Sequence, residues 1–288
     1  MWIQDNSLPV QNILGEGPLW HPKEHCLYWV DIHAGTINHF NPASGIYKTF
    51  EIGYPVGCLA FCTNGDLILA GQHGFSRWSI VTKQIAQISH PEPNRENARF
   101  NDGRVDSQGR FWAGTMTPEG MANSLYRLDP GGVVYTMETK IGISNGIGWS
   151  PDRQRMYFTD SAREVIYVYD YDELTGNISN RHELVSTREE EGVPDGLVID
   201  REGCLWSARW DGWKVVRYSP QGEVIQEIPL PVKRPTSCTF GGSDLSTLFI
   251  TSASIDLSSE QKEKQPLAGD LFWIETDTTG LEEHVYSG

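Results

Sequence analysis

Asn101-Asp102-Gly103-Arg104-Val105-Asp106-Ser107-Gln108-Gly109-Arg110-Phe111-Trp112-Ala113-Gly114-Thr115-Met116 is the stretch that decides the fold. It reads as strand, tight turn, strand: Val105 and the run 111–113 are β-prone, and Ser107-Gln108-Gly109 between them is turn chemistry. The phrase then recurs. Asp195-Gly196-Leu197-Val198-Ile199-Asp200 runs through a Glu202-Gly203 turn into Leu205-Trp206-Ser207. Asn145-Gly146-Ile147-Gly148-Trp149-Ser150 is followed by Met156-Tyr157-Phe158, and Glu16-Gly17-Pro18-Leu19-Trp20-His21 by Leu27-Tyr28-Trp29. An oxygen-bearing side chain opens each copy.

Working outward, six apolar triplets begin at residues 27, 67, 111, 156, 205 and 248, separated by 40 to 49 residues. That spacing suits a four-stranded blade better than a helical repeat. Each triplet follows a turn, and no stretch sustains the 3.6-residue period of a long helix. The expectation is an all-β chain, a single six-bladed β-propeller over residues 1–288 with four antiparallel strands per blade. Closing a ring needs a seam, so residues 1–12 are expected to lend a strand to the last blade near residues 282–286. Such closure also hides sheet edges. Residues 258–265 read as a charged loop inserted in that blade. Trp20, Trp112, Trp149 and Trp206 fall where neighbouring blades would stack.

The formal net charge of −15 repels nucleic acid and anionic membrane surfaces, which excludes both as partners. The first residues have neither the basic start nor the apolar core of a signal peptide, and no apolar run is long enough to span a bilayer. The five cysteines are scattered, with no Cys-x-x-Cys pair, as in a reduced, cytoplasmic protein. In that setting the Asn177-Ile178-Ser179 sequon is incidental.

In a propeller, residues at one repeat position form a ring around the central channel. Aligning the turns gives Glu16, Gly57, Asn101, Asn145, Asp195 and Ser237 for blades one to six. Two carboxylates and two amide carbonyls at one channel mouth make a site for a hard divalent cation. The absence of His and Cys from the ring argues against structural zinc. Any one Asn or Asp before Gly is ordinary turn chemistry. Turn chemistry alone does not skip the same two blades and then place Glu in the first.

Glu-Gly-Pro-Leu-Trp at 16–20, Arg-Phe-Asn-Asp-Gly at 99–103, Ala-Gly-Thr-Met at 113–116, Ser-Asn-Gly at 144–146 and Pro-Asp-Gly at 194–196 resemble the senescence-marker-protein (regucalcin)/gluconolactonase family, in order and over essentially the whole chain. The resemblance implies a six-bladed propeller that holds one divalent cation and hydrolyses sugar lactones. It implies metal ligands at Glu16, Asn145 and Asp195, and substrate contacts at Arg99, Asn101 and Glu119. Asn101 is left with two roles, direct ligand or holder of a metal-bound water. Asp195 is given the role of general base beside its ligand role. Calcium is the first choice of ion, with Zn, Mn, Mg and Fe(II) also accommodated.

The expected partner is a small-molecule sugar lactone, and the expected state a monomer or small homo-oligomer. Gly-x-Ser-x-Gly elbows, His-Glu-x-x-His helices and phosphate-binding glycine loops are missing from the sequence. Two other readings share the ring: a phosphotriesterase-like or other esterase, and a calcium-binding regulatory propeller without turnover.

Overall fold

The computed structural model describes residues 6–118 and 120–288. Six sheets of four antiparallel strands follow one another along the chain. The chain is a six-bladed all-β propeller. Its inner strands are Gly15–His21, Val56–Phe61, Arg99–Val105, Ser144–Trp149, Val193–Ile199 and Pro235–Gly241, each packed beside the inner strand of the next blade. The outer strands, such as Ile46–Glu51 and Ile85–Ser89, are largely exposed. The middle strands carry the apolar triplets. Being covered on both faces by adjacent blades, they are uniformly apolar instead of alternating.

Two of the repeated turns are held by one device. The Asp106 carboxylate accepts from the backbone N–H groups of Gln108 and Arg110 and from the Trp112 indole at 2.8 Å. Asp200 accepts from Glu202 N, Cys204 N and the Trp206 indole at 3.0 Å. A buried carboxylate thus fixes the turn and hangs the tryptophan of the next strand. The tryptophans then join blades: Trp20 stacks on Phe249 at 5.6 Å, Trp112 meets Trp149 edge-on at 5.9 Å, and Trp206 meets Phe240 at 5.7 Å.

At the seam, Ser7–Leu8 pairs with Leu271–Glu275 as the outer strand of blade six, and the Thr236 hydroxyl donates to Gly15 O at 2.5 Å. The strand that receives the N-terminal segment is therefore not the stretch 282–286. That stretch crosses the underside of the ring instead. Gly280 bridges Asp200 in blade five, Arg104 pairs with Glu283 at 3.0 Å, Tyr286 bridges Cys62 in blade two, and Ser287 N donates to Gly109 O in blade three. The run 258–265 is also not all loop. Ser259–Lys264 forms a short helix because Ser258 and Gln261 make a reciprocal capping box. All five cysteines are free and buried. Among the described residues no helix is long and apolar enough to cross a membrane.

Candidate active site and metal centre

Every inner strand slips register at the ring position. The shifts fall between Glu16 and Leu19, Val56 and Cys58, Phe100 and Gly103, Ser144 and Ile147, Pro194 and Leu197, and Pro235 and Cys238. A β-bulge leaves a residue unpaired with its sheet and re-aims its side chain. Here six bulges lie at one level, and the five ring positions other than Gly57 carry polar side chains there. Glycines at this level let the bulged strands approach: a Cβ on Gly146, after Asn145, would lie 2.9 Å from Asp195 O, and one on Gly57, the ring position of blade two, would run into the backbone of Phe100 and Asn101.

The ring side chains are buried, Glu16 at 5%, Asn145 at 5% and Asp195 at 4% exposure. Asn145 Nδ2 donates to Ser161 Oγ at 2.8 Å, and that hydroxyl donates to Pro194 O at 2.6 Å, tying blade four to blade five. The same bond leaves Asn145 Oδ1 turned to Asn101, whose Nδ2 donates to it at 3.0 Å and to Ser144 O at 2.8 Å. Asn101 Oδ1 accepts from an Arg99 terminal N–H at 2.6 Å, which also reaches Phe100 O at 3.0 Å. Asn101 therefore orients Asn145 on one side and Arg99 on the other.

The charged groups of the ring act on one another. Burial first, then the Asp102 carboxylate, pushes the Glu16 carboxyl up to about 8, against smaller help from Gly17 N and Arg99. Burial, then Glu16 and Asp102, drives Asp195 well above the usual carboxylate range. Burial lowers Arg99 to about 10, while Glu16 and Asp195 oppose that loss. Glu16 thus raises Asp195, Asp102 raises both, and Arg99 opposes both rises, as charges do at close range away from water. Among the described residues neither carboxylate has an ion pair within 4.0 Å, whereas Arg104, Arg110 and Arg127 in blade three all have carboxylate partners. Two like charges buried without a counter-ion are costly. An oxygen-only donor set of two carboxylates and an amide fits a divalent cation of the calcium or magnesium type.

Glu119 lies outside the described residues. Asp102 has no distinguishing signal in the sequence, where it reads as the second residue of an Asn-Asp-Gly turn. It is buried below the ring, raised to about 6 chiefly by burial, with Arg104 and Gly103 N pulling it down and Glu283 pushing it up. The bulge between Phe100 and Gly103 leaves the consecutive residues Asn101 and Asp102 both out of register with the next strand.

A six-bladed propeller with buried oxygen donors converging in its channel defines a class of ring-shaped proteins, and similarity narrows the class. The SMP-30/Gluconolactonase/LRE-like region matches residues 14–254. A 6-deoxy-6-sulfogluconolactonase from Pseudomonas putida is 37% identical over 280 residues, 96% of each chain. A pentonolactonase from Haloferax volcanii is 36% identical over 281 residues, 94% of this chain and 93% of that one. The crystal structure of regucalcin from Agrobacterium tumefaciens, described as a calcium-binding protein, matches with a TM-score of 0.95 at 27% identity, covering 98% of this chain and 97% of that one. The chain belongs to the SMP-30/gluconolactonase/LRE-like family.

Proposed function

We propose that this chain, a lactonase by family, opens sugar lactones to their aldonic acids with one divalent cation held by Glu16, Asn145 and Asp195. The observation that carries the reading is the pair of buried carboxylates, without an ion pair among the described residues, acting on one another beside the half-buried Arg99. A cation bound there supplies the charge that neutralises the pair, polarises the ester carbonyl and offsets the negative charge that grows on its oxygen.

The chain's own residues do the rest. Arg99, fixed through Asn101 Oδ1 and Phe100 O, offers its other N–H groups to sugar hydroxyls or to the carbonyl oxygen. Glu119 takes the role of a further hydroxyl partner from the family resemblance. Asp195 receives a proton from the attacking water at a carboxylate oxygen. Burial and the neighbouring Glu16 and Asp102 carboxylates raise its pKa in the metal-free ring, and a carboxylate of higher pKa is the stronger proton acceptor once ionised. The water oxygen bonds to the carbonyl carbon, the ring C–O bond breaks, and the ring oxygen takes the proton back from Asp195 and leaves as a hydroxyl.

The test is acid release from gluconolactone and xylonolactone by chelator-stripped protein, with calcium, magnesium, manganese, iron(II) or zinc restored singly. Acceleration over spontaneous hydrolysis with at least one metal is expected. No acceleration with any of them removes the reading and leaves a calcium-binding propeller without turnover as the better one.

A further inference from the structure

The far end of blade one from Glu16 carries a second cluster of donors, of a different chemical kind. The inner strand Gly15–His21 runs from the ring down to His21, and the chain turns through residues 22–25 into Cys26–Asp31. In this sheet Cys26 lies opposite His21, and Tyr28 opposite His39. Cys26, Tyr28 and His39 thus share a face, and Glu24 on the turn folds back over it. One ligand atom each from Glu24, Cys26 and His39 lie within 4.8 Å of one another. The Cys26 thiol donates to Glu24 Oε2 at 3.5 Å and the Tyr28 hydroxyl donates to the same oxygen at 3.1 Å. His39 Nδ1 is buried and has no hydrogen-bond partner among the described residues, although a buried ring nitrogen normally finds one.

We propose that Glu24, Cys26 and His39 form a second metal site, one that takes a borderline-soft divalent ion such as zinc. Sulfur, imidazole nitrogen and carboxylate oxygen together are a zinc donor set, with three protein ligands leaving a fourth position for water. The central ring offers oxygen alone and suits hard cations, so the two sites sort ions by softness. The exposed Glu24 gives the ion a way in from solvent, and Tyr28 orients the carboxylate as an outer partner.

Of the charged groups around the cluster, Lys48 lies opposite His39 in the sheet without an ion pair within 4.0 Å among the described residues, while the His21 ring accepts from Glu24 N at 3.1 Å through Nδ1 and holds Nε2 3.9 Å from Glu24 Oε1. By contrast, a similar cluster of Asp200, Glu202 and Cys204 in blade five is already neutralised by Arg217, at 2.7 Å from Asp200 and 2.6 Å from Glu202.

The experiment uses the full chain with its central site saturated by calcium, titrated with zinc and, for spectroscopy, with cobalt(II). One zinc equivalent and a thiolate-to-cobalt charge-transfer band are expected. Cys26→Ser should abolish the band, and both it and Glu24→Ala should weaken zinc binding by at least about tenfold. Glu24 is exposed, so its variant tests the site even if loss of the buried thiol disturbs folding. Absence of the band, wild-type zinc affinity in Glu24→Ala, or zinc binding abolished by Asp195→Ala would each overturn the proposal. The last result would put the ion in the central ring.

Discussion

Asp195 and Arg99 feel one another's charge, yet their substitutions should separate cleanly. Removing the base in Asp195→Ala should cut kcat by about 10²–10⁴-fold. Steady-state lactone hydrolysis with excess metal reads this, and an unchanged kcat would exclude Asp195 as base. Arg99→Ala removes charged hydrogen bonds to substrate and should lower kcat/KM by about 10- to 100-fold while metal affinity stays within a few-fold. The pH dependence follows from the raised acids. Glu16 holds its proton up to about 8 in the folded metal-free state, far above its unfolded value of 4.5, so the folded state binds more protons between those limits. Its contribution to stability is full below the unfolded pKa and is lost as pH rises toward 8, at up to about 1.4 kcal/mol per pH unit for one proton. Thermal denaturation of chelator-stripped protein should therefore show Tm falling over that window, and the gain in Tm on adding metal should grow with pH. A flat profile would mean that the carboxylates are not crowded. At this scale repeat position put Glu16, Asn145 and Asp195 on one rung, and all three are buried beside a bulge at that level. Asp102 was not legible in the sequence, because its burial depends on a backbone distortion that no residue type announces.

The bulge is the element that makes the site. Oxygen-bearing residue followed by glycine was visible in the sequence at Asn145-Gly146 and Asp195-Gly196, but it reads there as a turn. In the structure the pair lies inside a strand, and the glycine is needed because the neighbouring bulge passes against it. Gly146→Ala should therefore destabilise by about 1–3 kcal/mol through overpacking against Leu197 and Asp195, measured by urea denaturation. A neutral substitution would show that the inner strands have slack. The helix Ser259–Lys264 escaped a sequence reading for a different reason. It is too short to show a period, and only its Ser258 and Gln261 cap marks it.

At the scale of the whole molecule, the 40- to 49-residue repeat was enough to predict six blades, since each copy closes locally into one sheet. The path of the C-terminal tail could not be anticipated, because it is set by contacts with distant blades, such as Tyr286 Oη to Asp129 O across 157 positions. The tail straps blades two, three and five together and places Glu283 against Arg104 below the ring. Deleting residues 281–288 leaves that arginine without its partner and should cost about 3–5 kcal/mol, a fall in Tm of at least about 5 °C. An unshifted Tm would make the tail an ornament of the fold.

The central claim is that ring closure gathers Glu16, Asn145 and Asp195 around one divalent ion. Anomalous diffraction from crystals of manganese-loaded protein tests it most directly. The account predicts a channel peak with oxygen atoms of all three side chains about 2.0–2.6 Å away. A channel without a peak, or a peak whose ligands omit Glu16 and Asp195, would contradict it.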